Sequence, residues 1–186
     1  MDAQVSDALA VLDARLGRGE TIEMTAVVTA LENQGVRTAE AFEELLNDPT
    51  AFNWHYYALA GMRALAELGK LSRNRARTLL EKTDRIAWQV GTDEFYKSIE
   101  AVAHSRETVP ALLDFVEERL LGQRDIREWR WLAFTAVASI LQSKVEGITA
   151  MLKERVTLKE RLQEEIGKEA DAGRNIQLDE VVHLLP

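Results

Sequence analysis

Apolar residues recur at intervals of three and four along almost the whole chain, as in Val5, Leu9, Leu12 and Leu16 and again in Trp54, Ala58, Met62 and Leu65. That spacing gathers them on one side of an α-helix, whereas a half-buried strand would alternate every second residue. No convincing alternation occurs, so the chain reads as all-α. The pattern predicts helices over 3–16, 22–33, 39–47, 53–68, 73–89, 93–104, 108–121, 125–143 and 147–168, separated by Gly17, Gly35, Pro49, Gly69, Gly91, Gly122 and Gly147. Glycine past a helix end accepts the left-handed cap that other residues resist, and proline cannot continue a helix interior.

Such regular punctuation points to an internal repeat. Aligning the helices in pairs, Gly61-Met62-Arg63-Ala64-Leu65-Ala66 matches Ser98-Ile99-Glu100-Ala101-Val102-Ala103 and Ala136-Val137-Ala138-Ser139-Ile140-Leu141. In the second helix of each pair, Thr78-Leu79-Leu80-Glu81 matches Ala111-Leu112-Leu113-Asp114 and Ala150-Met151-Leu152-Lys153. Trp54-His55-Tyr56-Tyr57-Ala58 also lies 75 residues before Trp129-Arg130-Trp131-Leu132-Ala133. A fourth, weaker copy pairs Ala26-Val27-Val28 with Ala41-Phe42-Glu43-Glu44, leaving the first helix as a cap. One such pair cannot bury its apolar face alone, so neighbours must stack.

Asp125-Ile126-Arg127-Glu128-Trp129-Arg130 ahead of an alanine-rich helix, and Thr108-Val109-Pro110-Ala111-Leu112-Leu113-Asp114-Phe115-Val116, resemble the first and second helices of HEAT or armadillo repeats. The resemblance spans residues 50–155. It implies an α-solenoid of three to four helix pairs and, because α-solenoids usually bind proteins, an adaptor or structural subunit of a larger assembly. The first pair lacks the usual proline before its second helix, and the second pair has a short first helix. An irregular helical bundle is the alternative architecture.

Composition narrows the function classes. A chain of 186 residues fits one domain that buries roughly 70% of its unfolded surface. Without cysteine it has neither a disulfide framework nor a thiolate site, which fits a cytoplasmic protein. Acids near the start replace the basic region of an export signal, and no stretch nears the roughly 18 apolar residues of a membrane helix. We expect one helical domain over 1–170, followed by an apolar tail over 171–186. The tail segment Ile176 to Leu185 is sticky; it either folds back over the last repeat or docks into a partner groove or a second copy of the chain.

Catalytic motifs are missing. There is no phosphate-cradling glycine loop and no nucleophile elbow, and His55, His104 and His183 have no metal-ligand spacing, so we expect no cofactor, no metal and no catalytic residue. Glu100 and His104, four apart on one helix face, are the seat of a last alternative, a small helical enzyme or ligand-binding protein. Glu43-Glu44, Glu117-Glu118 and Glu164-Glu165 read as solvated helix faces.

Charge is uneven. The net charge is −8, yet residues 1–50 carry ten acids against three arginines, while 51–91 carry seven bases against three acids. Lys70, Arg73, Arg75, Arg77, Lys82 and Arg85 form the basic cluster. They either contact an acidic protein partner or pair with acids of the chain itself, the amino-terminal region included. Nucleic-acid binding through this 70–85 patch is the alternative function, disfavoured because no stacking aromatics are interleaved. Tyr56 and Arg63 fall opposite the apolar stripe of their helix, and Trp131 occupies the position equivalent to Tyr56. The candidate partner-binding residues are therefore Tyr56, Arg63, Arg73, Arg77, Arg85, Arg127 and Trp131, with Tyr56 and Trp131 either aromatic anchors or packed between adjacent helix pairs. Reversing Arg73 and Arg77 to glutamate is expected to abolish binding with little change in melting temperature.

Overall fold

A computed structural model describes residues 3–90, 93–121, 127–143 and 145–171, with the side chains of 86–90, 120, 127–131 and 169–171 outside the description. The described residues form helices α1 (Ala3–Gly17), α2 (Met24–Asn33), α3 (Thr38–Asn47), α4 (His55–Glu67), α5 (Arg73–Val90), α6 (Asp93–Val102), α7 (Val109–Phe115), α8 (Arg127–Gln142), α9 (Ile148–Lys153) and α10 (Val156–Asp171), and no strand. The fold is all-α, as the three-and-four spacing requires. Gly35, Gly69 and Gly147 have positive φ, which explains why those three punctuate the chain. The first turn after α1 uses Gly19 in that conformation, with Gly17 still inside the helix.

Three segments depart from the periodic reading. Pro49–Trp54 forms a 3-10 turn ahead of α4, started by Asp48, whose Oδ1 accepts from the Thr50 amide at 2.8 Å and the Thr50 hydroxyl at 2.6 Å. The helix expected over 108–121 is α-helical only to Phe115 and continues as a π-helical turn over Val116–Leu120. The single helix expected over 147–168 is two helices, broken at Glu154 and Arg155. Periodicity misses that break because Val156 continues the stripe of Leu152 four residues on, yet it is 64% exposed, and burial resumes out of phase at Leu158 and Leu162.

From α2 to α8, helices pack on their successors and on the next but one. Thus α2, α4, α6 and α8 neighbour each other in turn, as do α3, α5 and α7, with α3 on α4, α5 on α6 and α7 on α8. The core between them holds Phe42, Phe95, Phe115 and Phe134, all essentially inaccessible. Phe95 and Phe115 lie 5.8 Å apart between ring centres, tying α6 to α7. At the α3–α4 crossing, a Cβ on Gly61 would come within 2.4 Å of the Phe42 ring, so the missing side chain sets how closely these helices approach. Buried polar groups are satisfied locally: the Thr108 hydroxyl donates to the Val102 carbonyl at 2.6 Å, and Thr83 Oγ1 and Ser98 Oγ lie 3.1 Å apart between α5 and α6. No helix among the described residues is long and apolar enough to cross a membrane.

Candidate interaction surface

The aromatic cluster begins in the 3-10 turn and runs into α4. Phe52 and His55 meet edge to face at 5.7 Å, and the His55 Nε2–H donates to the Asp48 carbonyl at 2.9 Å. One turn on, Tyr57 is buried with its ring 5.8 Å from Trp54, and its hydroxyl donates to Asp13 of α1 at 2.7 Å. Burial pushes the Tyr57 phenol up to about 12, and the Asp13 carboxylate adds to the shift, so this bond keeps its proton at neutral pH. Tyr56 stands edge-on to Tyr57 at 5.7 Å and 83° and is 43% exposed. A hollow of about 80 Å³ lies beside both tyrosines, walled by Leu12, Leu16, Ile22 and Met24.

Further along the α4–α6 face, Arg63 is 7% exposed and donates to the buried Glu94 at 2.5 Å. Arg63 was expected beside Tyr56 on the side away from the apolar stripe. The correction follows from packing: α6 lies against α4 and covers that side. Lys97 approaches Glu94 at 2.9 Å from solvent. Burial alone would raise the Glu94 pKa, but Lys97 and Arg63 outweigh it and hold the carboxyl below its ordinary value. Arg63, Glu67, Lys97, Glu100, Ala101 and His104 line a cleft of about 370 Å³ beyond this pair. His104 spends its Nδ1 on the Glu100 backbone carbonyl at 2.6 Å, and no group of three acids or histidines among the described residues is arranged to hold a metal.

The basic segment is threaded through acids of its own chain. Lys70 meets Glu32 at 2.5 Å, Arg73 meets Asp114 at 2.6 Å, Arg75 meets Glu40 and Glu43 at 2.9 and 3.3 Å, and Arg77 meets Glu81 and Glu118, each at 2.7 Å. Arg77 also lies over the Phe115 ring at 5.5 Å. At the break between α9 and α10, Arg155 joins the same set, meeting Asp114 at 2.6 Å and pairing with Glu117. Burial would raise the Asp114 pKa, but Arg155 and Arg73 together hold it below its ordinary value.

Of the residues singled out by sequence, Tyr56 and Arg85 are exposed, Arg63 is buried, Arg73 is exposed within an ion pair, and Arg77 is partly buried within two. Arg127 and Trp131 are on α8 with side chains outside the described residues, as is the tail over 172–186. Sequence reasoning missed Glu94, Asp114, Glu117 and Arg155. Their partners lie 31 to 41 residues away for Glu94 and the two Asp114 pairs, beyond any local spacing rule. Glu43 and Glu117 likewise take arginine partners, while the adjacent Glu44 is exposed. Compared with family models, curated proteins and solved structures, the chain matches none.

Proposed function

We propose that this chain is a non-enzymatic protein-interaction adaptor or structural subunit, a short HEAT-like α-solenoid working in the cytoplasm and engaging a partner through the helix face that carries Tyr56. The observation that carries the reading is the Tyr56 ring. It is exposed, yet its neighbour Tyr57 is fixed by Asp13 and Trp54, and the adjacent hollow has aliphatic walls. A pre-positioned aromatic loses little side-chain entropy when a partner covers it, which is what makes tyrosine a frequent hot spot. Arg85, exposed beside Asp84, is an accessible charge of the basic segment.

The solenoid reading is supported by the next-but-one packing and by equal burial at repeat-equivalent positions. Met62, Ile99 and Val137 are each inaccessible, as are Leu65, Val102 and Ile140 to within 1%, and Leu79 pairs with Leu112 in the same way. Such repeats leave one face of each helix row for binding.

The test is affinity recovery of the tagged protein from its native cells after nuclease treatment, comparing wild type with Tyr56→Ala. A stoichiometric protein partner is expected with wild type, and truncating a hot-spot tyrosine should weaken it by about 30-fold, equivalent to ~2 kcal/mol. Full retention by Tyr56→Ala removes this face from the reading. Material lost on nuclease treatment moves the function to nucleic acid.

A further inference from the structure

Helix α1 buries one stripe, Val5, Leu9 and Leu12, and leaves another unclaimed. On that second stripe Asp7, Val11 and Arg15 follow one another at four-residue steps, so they share one side of the helix. Val11 is 59% exposed, and beneath it runs a groove of about 360 Å³ between α1 and α2, floored by Ala8, Leu12, Val27 and Ala30. Asp7 is exposed and has no ion-pair partner among the described residues. Arg15 gives one edge of its guanidinium to Glu20 at 2.7 Å while its side chain stays 40% exposed, leaving further donors free.

This arrangement is self-complementary. Asp7 and Arg15 are placed symmetrically about Val11, roughly 6 Å to either side along the helix axis at 1.5 Å per residue. Turning a second α1 antiparallel about Val11 therefore lays each Asp7 against an Arg15 and buries two valines between them. An unrelated partner has no reason to match the spacing, whereas a two-fold interface requires residue i to meet residue j and j to meet i. Ala8 and Ala14 lie at mirrored positions about Val11 and are small enough to let the two backbones approach.

We propose that the outer face of α1 is a homodimer interface, in which two copies cross their α1 helices antiparallel at Val11 and exchange Asp7–Arg15 ion pairs. The interface uses neither Tyr56 nor the basic segment, so it stands or falls apart from the adaptor reading.

The experiment is sedimentation equilibrium of the full chain, loaded from about 1 µM to about 1 mM, the range in which a small interface dissociates. Wild type is expected to rise from 21.0 kDa towards twice that mass. Val11→Glu places two carboxylates face to face and should raise the dissociation constant on the order of 100-fold. Asp7→Arg and Arg15→Asp should each weaken the dimer, and the double exchange Asp7→Arg with Arg15→Asp should restore it. Circular dichroism of every variant checks that helicity is kept; a variant that unfolds is replaced by Val11→Lys, which carries the same expectation. A wild type that stays at 21.0 kDa throughout overturns the proposal. So does a dimer that Val11→Glu leaves intact, or one that the double exchange fails to rescue.

Discussion

Arg63 and Glu94 are the chain's clearest case of a charge pair placed where solvent cannot help it. With side chains 9% and 6% exposed, both ions have lost most of their hydration, and their attraction must offset that cost. Lys97 keeps a third charge on Glu94 from the solvent edge, so the carboxylate is held on two sides. Removing only the arginine leaves a buried anion with one half-exposed partner. Arg63→Leu should therefore cost about 3 kcal/mol, at the low end for a broken buried pair. Replacing both residues by leucine removes the uncompensated charge together with the pair and should return stability to within ~1 kcal/mol of wild type. Urea unfolding of the two single variants and the double variant measures the coupling between them; simple additivity would mean that the pair contributes nothing specific to the α4–α6 contact.

At the level of helices, the long stretches were legible because burial forces periodicity: the apolar spacing of 73–89 corresponds to α5 within one residue. What escaped was set by contacts far along the chain. Nothing local to Arg155 foretells its partners at the break, which lie far back along the chain: Asp114 on α7 and Glu117 in the π-helical turn after it. Spacing sets both Tyr56 and Arg63 off the apolar stripe but does not say what covers that side: Tyr56 is left exposed, whereas α6 covers Arg63. The same gap alters what the basic segment is expected to do. Arg73 and Arg77 look like a free patch in sequence, yet they clasp Asp114 and Glu118 on the neighbouring helix row. Arg73→Glu with Arg77→Glu sets like charges against each other across α5 and α7. The melting temperature should then fall by roughly 2–8 °C, corresponding to ~1–2 kcal/mol in a domain of this size. Thermal unfolding followed by circular dichroism measures this. An unchanged midpoint would show that these ion pairs are as inconsequential as most surface pairs and would return the segment to being a free patch.

Across the whole molecule, two electrostatic effects compete as pH falls. Protonating carboxylates reduces the net charge of −8 and relieves long-range self-repulsion, which favours the compact state. At physiological ionic strength, however, exposed charges farther apart than about 8 Å are largely screened, so that gain is small. Against it stand carboxylates held by contact. Glu94 and Asp114 have folded pKa values below their ordinary ones because arginine and lysine partners outweigh their burial, and Glu40 is lowered by its own backbone amide and by Arg75. For such groups the stabilisation is fully present above the unfolded values of about 4, and is lost as pH falls through the lower folded values. Asp84 runs the other way: burial raises its pKa despite Arg119 and Arg85, so its protonation on acidification recovers stability. Among the described residues the depressed carboxylates, Glu20 and Asp48 included, outnumber the raised Asp84, which gives a net loss. The melting temperature should hold steady from pH 8 to about pH 5 and then drop steeply towards pH 3. Glu94→Gln, which cannot take up the proton, should start from a lower midpoint and lose less over the same interval. A wild-type midpoint that rises on acidification would mean that relief of self-repulsion dominates and that the inter-helix ion pairs contribute little to holding the rows together.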